Sequence, residues 1–207
     1  MEYTMNHIEK IIYINLDCRS DRRAEIENEF ARMSIPADSV MRFSAVENTI
    51  HPFIGCAESH LQVLKLARRN GYKNVLIMED DFSFTIPKEM VAQGLQRFFE
   101  MHPDYDVVML SYNLREGQSC DDIVGKVIRA QTASGYLVNS AFYDTIIETM
   151  EIGLMNLRKT HKHWLFTNDQ YWKTIQGKSN WFYFLERMGK QRKSYSNLAK
   201  GIVDYNC

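Results

Sequence analysis

Three consecutive carboxylates, Glu79-Asp80-Asp81, follow directly on the apolar run Val75–Met78. A short apolar run of this kind reads as a buried strand, so the three acids sit at its end. Adjacent like charges raise one another's pKa and destabilise the site unless a cation or hydrogen-bond donors neutralise them. Side chains alternate along a strand, which points Glu79 and Asp81 the same way, about 6–7 Å apart. Oxygen ligands at that separation suit a hard divalent ion, Mg2+ or Mn2+. The alternative is a solvated acidic turn or an N-cap cluster.

A second polar group follows the run Ile11–Leu16: Asn15 and Asp17, then Arg19, Arg22 and Arg23. Guanidinium forks bind phosphate bidentately and a helix N-terminus favours anions, so this mixture suits a nucleotide. A capped helix with a solvated charged face is the competing reading. Gly55-Cys56-Ala57-Glu58-Ser59-His60 opens a further helix, where Ser59 and His60 either face a ligand or satisfy local backbone. Thr132-Ala133-Ser134-Gly135-Tyr136 places small residues where backbone closely approaches a ligand, or where a strand bends tightly. Asp169 stands among aromatics in Asn168-Asp169-Gln170-Tyr171-Trp172, as a general base, a sugar-hydroxyl ligand or an N-cap. Gly177-Lys178-Ser179 ends like a P-loop, but Trp172 occupies the required upstream glycine position. Neither a G-x-S-x-G elbow nor an H-E-x-x-H pair occurs. ATPase, serine hydrolase and zinc protease chemistries are thereby excluded.

The elements that must position these groups alternate. Ile11–Leu16, Val40–Val46, Val75–Met78 and Val107–Leu110 read as strands. Helices are expected from Ser20 or Asp21 to Met33, over Ala57–Asn70 with Gly71 at the C-cap, and from Pro87 to Met101. Gly117–Gly125 reads as a polar loop. Short strands follow near Val127–Ala130 and Ser134–Val138, helices over Ala141–Met150 and Asn168–Ile175, and a strand over Trp181–Leu185. Strands alternating with helices predict an α/β fold with a mostly parallel central sheet flanked by helices, its ligands outside the carboxyl ends of the strands.

Composition agrees with a folded chain. The 207 residues are 45% hydrophobic and 12% aromatic with 4 prolines, which excludes disorder and favours one domain. The longest apolar runs are far short of the roughly 18 residues of a membrane span. The opening MEYTMNHIEK lacks the apolar segment of a signal peptide. Cys18, Cys56, Cys120 and Cys207 are scattered, so reduced thiols and a cytoplasmic setting are expected. Charge is uneven: residues 1–157 carry 15 basic and 23 acidic side chains, residues 158–200 carry 10 and 2. Aromatic and apolar residues interrupt the basic segment throughout, which argues against nucleic acid and for a cationic wall facing an anionic small ligand.

Taken in order, these motifs resemble glycosyltransferase family 25, which contains lipooligosaccharide and collagen hydroxylysine galactosyltransferases. The resemblance rests on Ile14-Asn15-Leu16-Asp17 with Arg22-Arg23, Phe43-Ser44-Ala45-Val46, Gly55-Cys56 with Ser59-His60, Glu79-Asp80-Asp81 and Ala133-Ser134-Gly135-Tyr136. Gln191-Arg192-Lys193-Ser194-Tyr195-Ser196 is similar to the closing motif of collagen-type and giant-virus members. The resemblance implies a GT-A-like single domain over residues 1–207, with a nucleotide-sugar and metal half to about residue 130 and an acceptor half with a basic tail beyond it. It implies Mn2+ (or Mg2+) held by Glu79 and Asp81, and a UDP-sugar bound by Asn15, Asp17, Arg19, Arg23, Ala45, Ser59, His60, Asp80, Ser134 and Gly135. It also implies inversion at the anomeric carbon; transfer of galactose or glucose to a hydroxyl on a glycan or hydroxylysine is expected, and among the residues singled out Asp169 is the first candidate for the base that inversion requires. Lys190, Arg192 and Lys193 are expected to balance the diphosphate. No membrane span is implied, a homodimer is allowed, and a viral source would make the setting host cytoplasm. The rival readings are a non-catalytic nucleotide-sugar-binding module and a UDP-sugar hydrolase.

Overall fold

Strands buried on both faces read as unbroken apolar runs, and three such runs form the centre of this fold. The computed structural model describes Met5, residues 7–196 and residues 201–203; Cys207 lies outside the described residues. The chain runs β1 (Lys10–Asn15), α1 (Ser20–Arg32), β2 (Val40–Ser44), α2 (Pro52–Arg69), β3 (Asn74–Glu79), β4 (Phe82–Phe84), α3 (Lys88–Met101) and β5 (Val107–Met109). It continues through β6 (Asn113–Ser119), β7 (Val124–Gln131), β8 (Gly135–Asn139), α4 (Tyr143–Thr160), α5 (His163–Phe166), α6 (Asn168–Tyr171) and α7 (Lys173–Gln176). The last strands are β9 (Trp181–Phe184), β10 (Gly189–Gln191), β11 (Ser194–Ser196) and β12 (Gly201–Val203).

Eight strands form one sheet in the order β2-β1-β3-β8-β5-β9-β7-β6. Six run in one direction; β8 and β7 are the two reversals. β8 inserts between β3 and β5, with Val138 opposite both Val75 and Val107, so late sequence completes the sheet begun by early sequence. Alternation divides each central strand between two cores. Ile12, Ile14, Val75, Ile77, Val107 and Met109 pack with α2 and α4 on one face. Ile11, Tyr13, Leu76, Met78, Val108 and Leu110 pack with α1 and α3 on the other. The result is a three-layer α/β/α arrangement. Among the described residues no helix is long and apolar enough to cross a membrane.

Four local expectations need correction. Gly117–Gly125 is not one loop: β6 and β7 pair as an antiparallel hairpin that includes Gly117 to Ser119 and Gly125. β6 is largely exposed, so it lacks the apolar alternation that marks a strand in sequence. α2 begins at Pro52 rather than Ala57, with proline at the first helical position, where its missing N–H costs nothing. α4 runs on past Met150 to Thr160 and ends on His161 at φ 56°, a left-handed residue with no glycine to announce it. The stretch expected as one helix over Asn168–Ile175 is two short turns, α6 and α7.

Candidate functional site

A cavity of about 300 Å3 opens at the carboxyl ends of β1 and β3, where open α/β sheets bind ligands. Its wall includes Arg19 and Arg22, the segment 45–49 after β2, Cys56, Ser59 and His60 of α2, the acidic triplet, and Gln191 from β10. Of the residues singled out in sequence, it gathers Arg19, Ala45, Ser59, His60, Glu79, Asp80 and Asp81. Among the described residues, the charged lining is two guanidiniums, Arg19 and Arg22, against four carboxylates, Glu47, Glu79, Asp80 and Asp81.

The three acids have three different environments. Asp80 is buried and fully engaged, taking Asn15 Nδ2 at 2.7 Å on one oxygen and Arg22 Nη1 at 2.8 Å on the other. Burial raises its pKa, opposed by Arg22 and by the Asn15 bond. Asp81 is also buried, and its Oδ2 meets Arg22 Nη2 at 3.1 Å and Gln191 Nε2 at 3.1 Å. Its Oδ1 has no hydrogen-bond partner among the described residues. Burial first, then the charge of Glu79, pushes the Asp81 carboxyl up to about 7, with Arg22 opposing. Glu79 is more open, and its Oε2 accepts from the same Gln191 amide at 3.3 Å. One nitrogen thus bridges the two carboxylates expected to share an ion. A buried, unpartnered carboxylate oxygen beside a second carboxylate fits a hard divalent cation, which would supply the missing partner.

The Gly-Cys-x-x-Ser-His motif builds the opposite wall. A Cβ on Gly55 would collide with the Val46 carbonyl, so glycine lets α2 press against the segment that lines the cavity. Ser59 Oγ donates to the Gly55 carbonyl at 2.7 Å and accepts from the Val46 amide at 2.8 Å, clamping that segment to the helix. Cys56 and His60, four residues apart, share one face of α2 and turn toward Glu79. The His60 Nδ1 pairs with the Tyr136 hydroxyl at 2.9 Å.

Other expected site residues act elsewhere. Asn15 does not line the cavity; it fixes Asp80, donates to the Arg19 carbonyl at 3.0 Å and accepts from Arg42 at 3.0 Å. Asp17 is exposed and ties Arg42 and Ser44 together, and those hydrogen bonds hold its carboxyl below the usual range. Arg23 points outward to Glu27 at 2.9 Å, whereas its neighbour Arg22 neutralises the acids. Ser134 is buried against the Ser111 hydroxyl at 2.6 Å. A Cβ at Gly135 or Gly189 would strike the Phe82 ring, so the close approach read at Gly135 is made by the side chain following Asp81 rather than by a ligand.

Asp169 lies outside the cavity lining. Its carboxylate accepts from the Thr167 hydroxyl at 2.8 Å, the Gln170 amide at 3.2 Å and the backbone N–H of Thr132 at 3.3 Å, a residue held at φ 87°. Its charge still acts on the Cys56 thiol in the cavity. Among the described residues, the cationic wall expected from residues 158–200 does not form. Of its described residues only Gln191 lines the cavity. Arg192 Nη2 instead meets Glu25 at 3.0 Å and the Asp80 carbonyl at 2.7 Å, and Lys190 and Lys193 are exposed. Cys56 and Gln191 were not among the expected site residues, and Arg22, read with Arg19 and Arg23 as a phosphate partner, is paired with Asp80 and Asp81. All three belong to motifs quoted above, and only their spatial convergence singles them out.

No family model matches the sequence, and no curated protein does. Among solved structures, the chain is similar to a glycosyltransferase involved in the glycosylation of the major capsid of PBCV-1. The TM-score is 0.52 at 8% identity, over 92% of this chain and 96% of that one. It also matches mannose-1-phosphate geranyltransferase from Thermus thermophilus with a TM-score of 0.47 at 10% identity, over 90% of this chain and 75% of that one. The first likeness identifies the fold as GT-A-like.

Proposed function

We propose that the chain is a metal-dependent inverting glycosyltransferase, moving galactose or glucose from a UDP-sugar to a hydroxyl on a glycan or hydroxylysine. The observation that carries this reading is Asp81: a buried carboxylate with an unpartnered oxygen, beside Glu79, at the floor of a cavity at the strand ends. The GT-A-like fold, shared with a capsid glycosyltransferase, supports a nucleotide-sugar donor. The motif resemblance to family 25 supports UDP, Mn2+ and inversion.

The cavity's own charge argues for the ion. With carboxylates outnumbering guanidiniums in the lining, a diphosphate on its own would be repelled. Glu79 and Asp81 would hold Mn2+ or Mg2+, which when bound supplies Lewis-acid stabilisation of the leaving diphosphate. Asp80, saturated by Asn15 and Arg22, positions the Arg22 guanidinium instead of ligating. Arg19 and Arg22 face the phosphates, while Ala45 and Ser59 shape the wall against the nucleotide. Inversion needs a base on the face opposite UDP, and Asp169 is our candidate for deprotonating the acceptor.

The test is UDP release from a panel of UDP-sugars, with Mn2+ or with chelator, comparing the parent with Asp81→Ala. Turnover of one donor only with metal, lost in the variant, is the expected result. Absence of UDP binding would overturn the reading. UDP binding without turnover on any acceptor would favour the binding module, and release that no acceptor accelerates would favour the hydrolase. Asp169→Asn should lower turnover by about 100- to 10,000-fold, the scale of general-base catalysis; a loss of about tenfold or less removes Asp169 from that role.

A further inference from the structure

Glu79 stands between two donor sets of different softness. Its Oε2 faces the Gln191 amide shared with Asp81. Its Oε1 faces nitrogen and sulfur: His60 Nε2 at 3.2 Å and Cys56 Sγ at 3.9 Å. The three donor atoms lie within 4.8 Å of one another, and all three residues line the cavity. The His60 ring is fully buried, and its Nδ1 is engaged by the Tyr136 hydroxyl, which aims Nε2 at Glu79. A metal-ligating histidine is oriented in the same way, its second ring nitrogen held by an outer partner.

We propose that Cys56, His60 and Glu79 form a second divalent-metal site in this cavity, selective for a borderline ion, Zn2+ first, and distinct from the oxygen site on Asp81. Thiolate, imidazole and carboxylate are zinc's donor types, and three protein ligands leave a fourth position open to the cavity. Binding sends the thiol proton of Cys56 to solvent. Mn2+ and Mg2+ favour the all-oxygen set instead. Because Glu79 offers one oxygen to each set, an ion in the softer site turns its carboxylate toward His60 and Cys56 and sets a second positive charge beside the harder site, which weakens that site's hold on its own ion. Zn2+ is therefore an inhibitor of metal-dependent transfer, a consequence that rests on the function proposed above.

Co2+ is the probe, added to the full chain freed of metal, because its thiolate charge-transfer band reports the sulfur ligand directly. One other described group, His102, Cys120 and Asp121, offers similar atoms outside the cavity, so the variants must separate the two. The band is expected in the parent and in Cys120→Ser, and absent from Cys56→Ser. Zn2+ should displace it at concentrations where Mn2+ does not. Glu79→Gln, on the cavity side of the fold, should weaken Co2+ binding at least tenfold, and circular dichroism should show each variant folded. No band in the parent, a band kept by folded Cys56→Ser, a band lost in Cys120→Ser, or undiminished affinity in Glu79→Gln overturns the proposal. These spectra need no turnover, so their failure is distinguishable from failure of the transferase reading. Where turnover is measured, Zn2+ should inhibit Cys56→Ser at least tenfold less effectively than the parent.

Discussion

Asp81 and Asp121 are both little-exposed aspartates beside a cationic or imidazole partner, yet they are finished differently. Asp121, in the turn between β6 and β7, accepts from the Ile123 and Val124 amides at 2.7 and 2.8 Å on one oxygen. His102 meets the other at 2.7 Å. Burial pushes its pKa up, but the Val124, Ile123 and His102 hydrogen bonds outweigh that and hold it below the ordinary value. Asp81 has one oxygen shared by Arg22 and Gln191 and one with no partner, and its pKa rises to about 7. A structural carboxylate is saturated by its own turn; the one at the cavity is left incomplete, in a form that a bound cation would complete.

The largest expected effect falls on the cation that balances the cavity acids. Arg22→Ala leaves Asp80 and Asp81 without their shared counter-charge and should destabilise the metal-free protein by about 3–5 kcal/mol in denaturant titration. The adjacent Arg23→Ala removes an exposed helix pair with Glu27 and a minor contact with Tyr13, and should shift the midpoint only slightly; equal effects from the two would break the distinction drawn between them. On the saturated side, Asp121→Ala should cost about 1–3 kcal/mol through its orphaned turn amides, with turnover unaffected. Loss of turnover there would mean the two aspartates are not separate in function.

The smallest effect is a slope. Asp81 has a folded pKa of about 7 against an ordinary 3.8, so between those values the native state holds a proton that the unfolded chain has released. Its contribution to stability is therefore full below about pH 4 and is lost as pH rises through 7. Asp81→Asn removes that slope. Thermal melts in chelator should show the variant gaining on the parent as pH climbs through this window, and Mn2+ should narrow the gap at high pH by favouring the carboxylate. A constant difference across the window would show that Asp81 ionises normally.

Much of the frame was legible because burial on both faces leaves a continuous apolar signal. Ile11–Leu16, Val75–Met78 and Val107–Leu110 correspond to β1, β3 and β5, within a residue or two at their ends. The acidic triplet was legible for a related reason: charges that abruptly end an apolar run have little else to do but meet a cation or donors. The exposed β6 gave no such signal. The small residues at Ser134 and Gly135 did mark a close approach, but sequence cannot tell a ligand from the Phe82 ring.

Patterning and local charge are properties of neighbours along the chain, and they were enough to pick out the residues too polar to be core and too clustered to be incidental. Which of two adjacent arginines serves the acids was a matter of packing, since on a helix Arg22 and Arg23 point about 100° apart and only the docking of α1 chooses between them. Packing likewise brought Gln191 onto Asp81 from 110 residues away, through the pairing of β10 with β4. Contacts of that separation are set by which distant strands pair, here β10 with β4 in a two-stranded sheet of their own, which no local preference encodes.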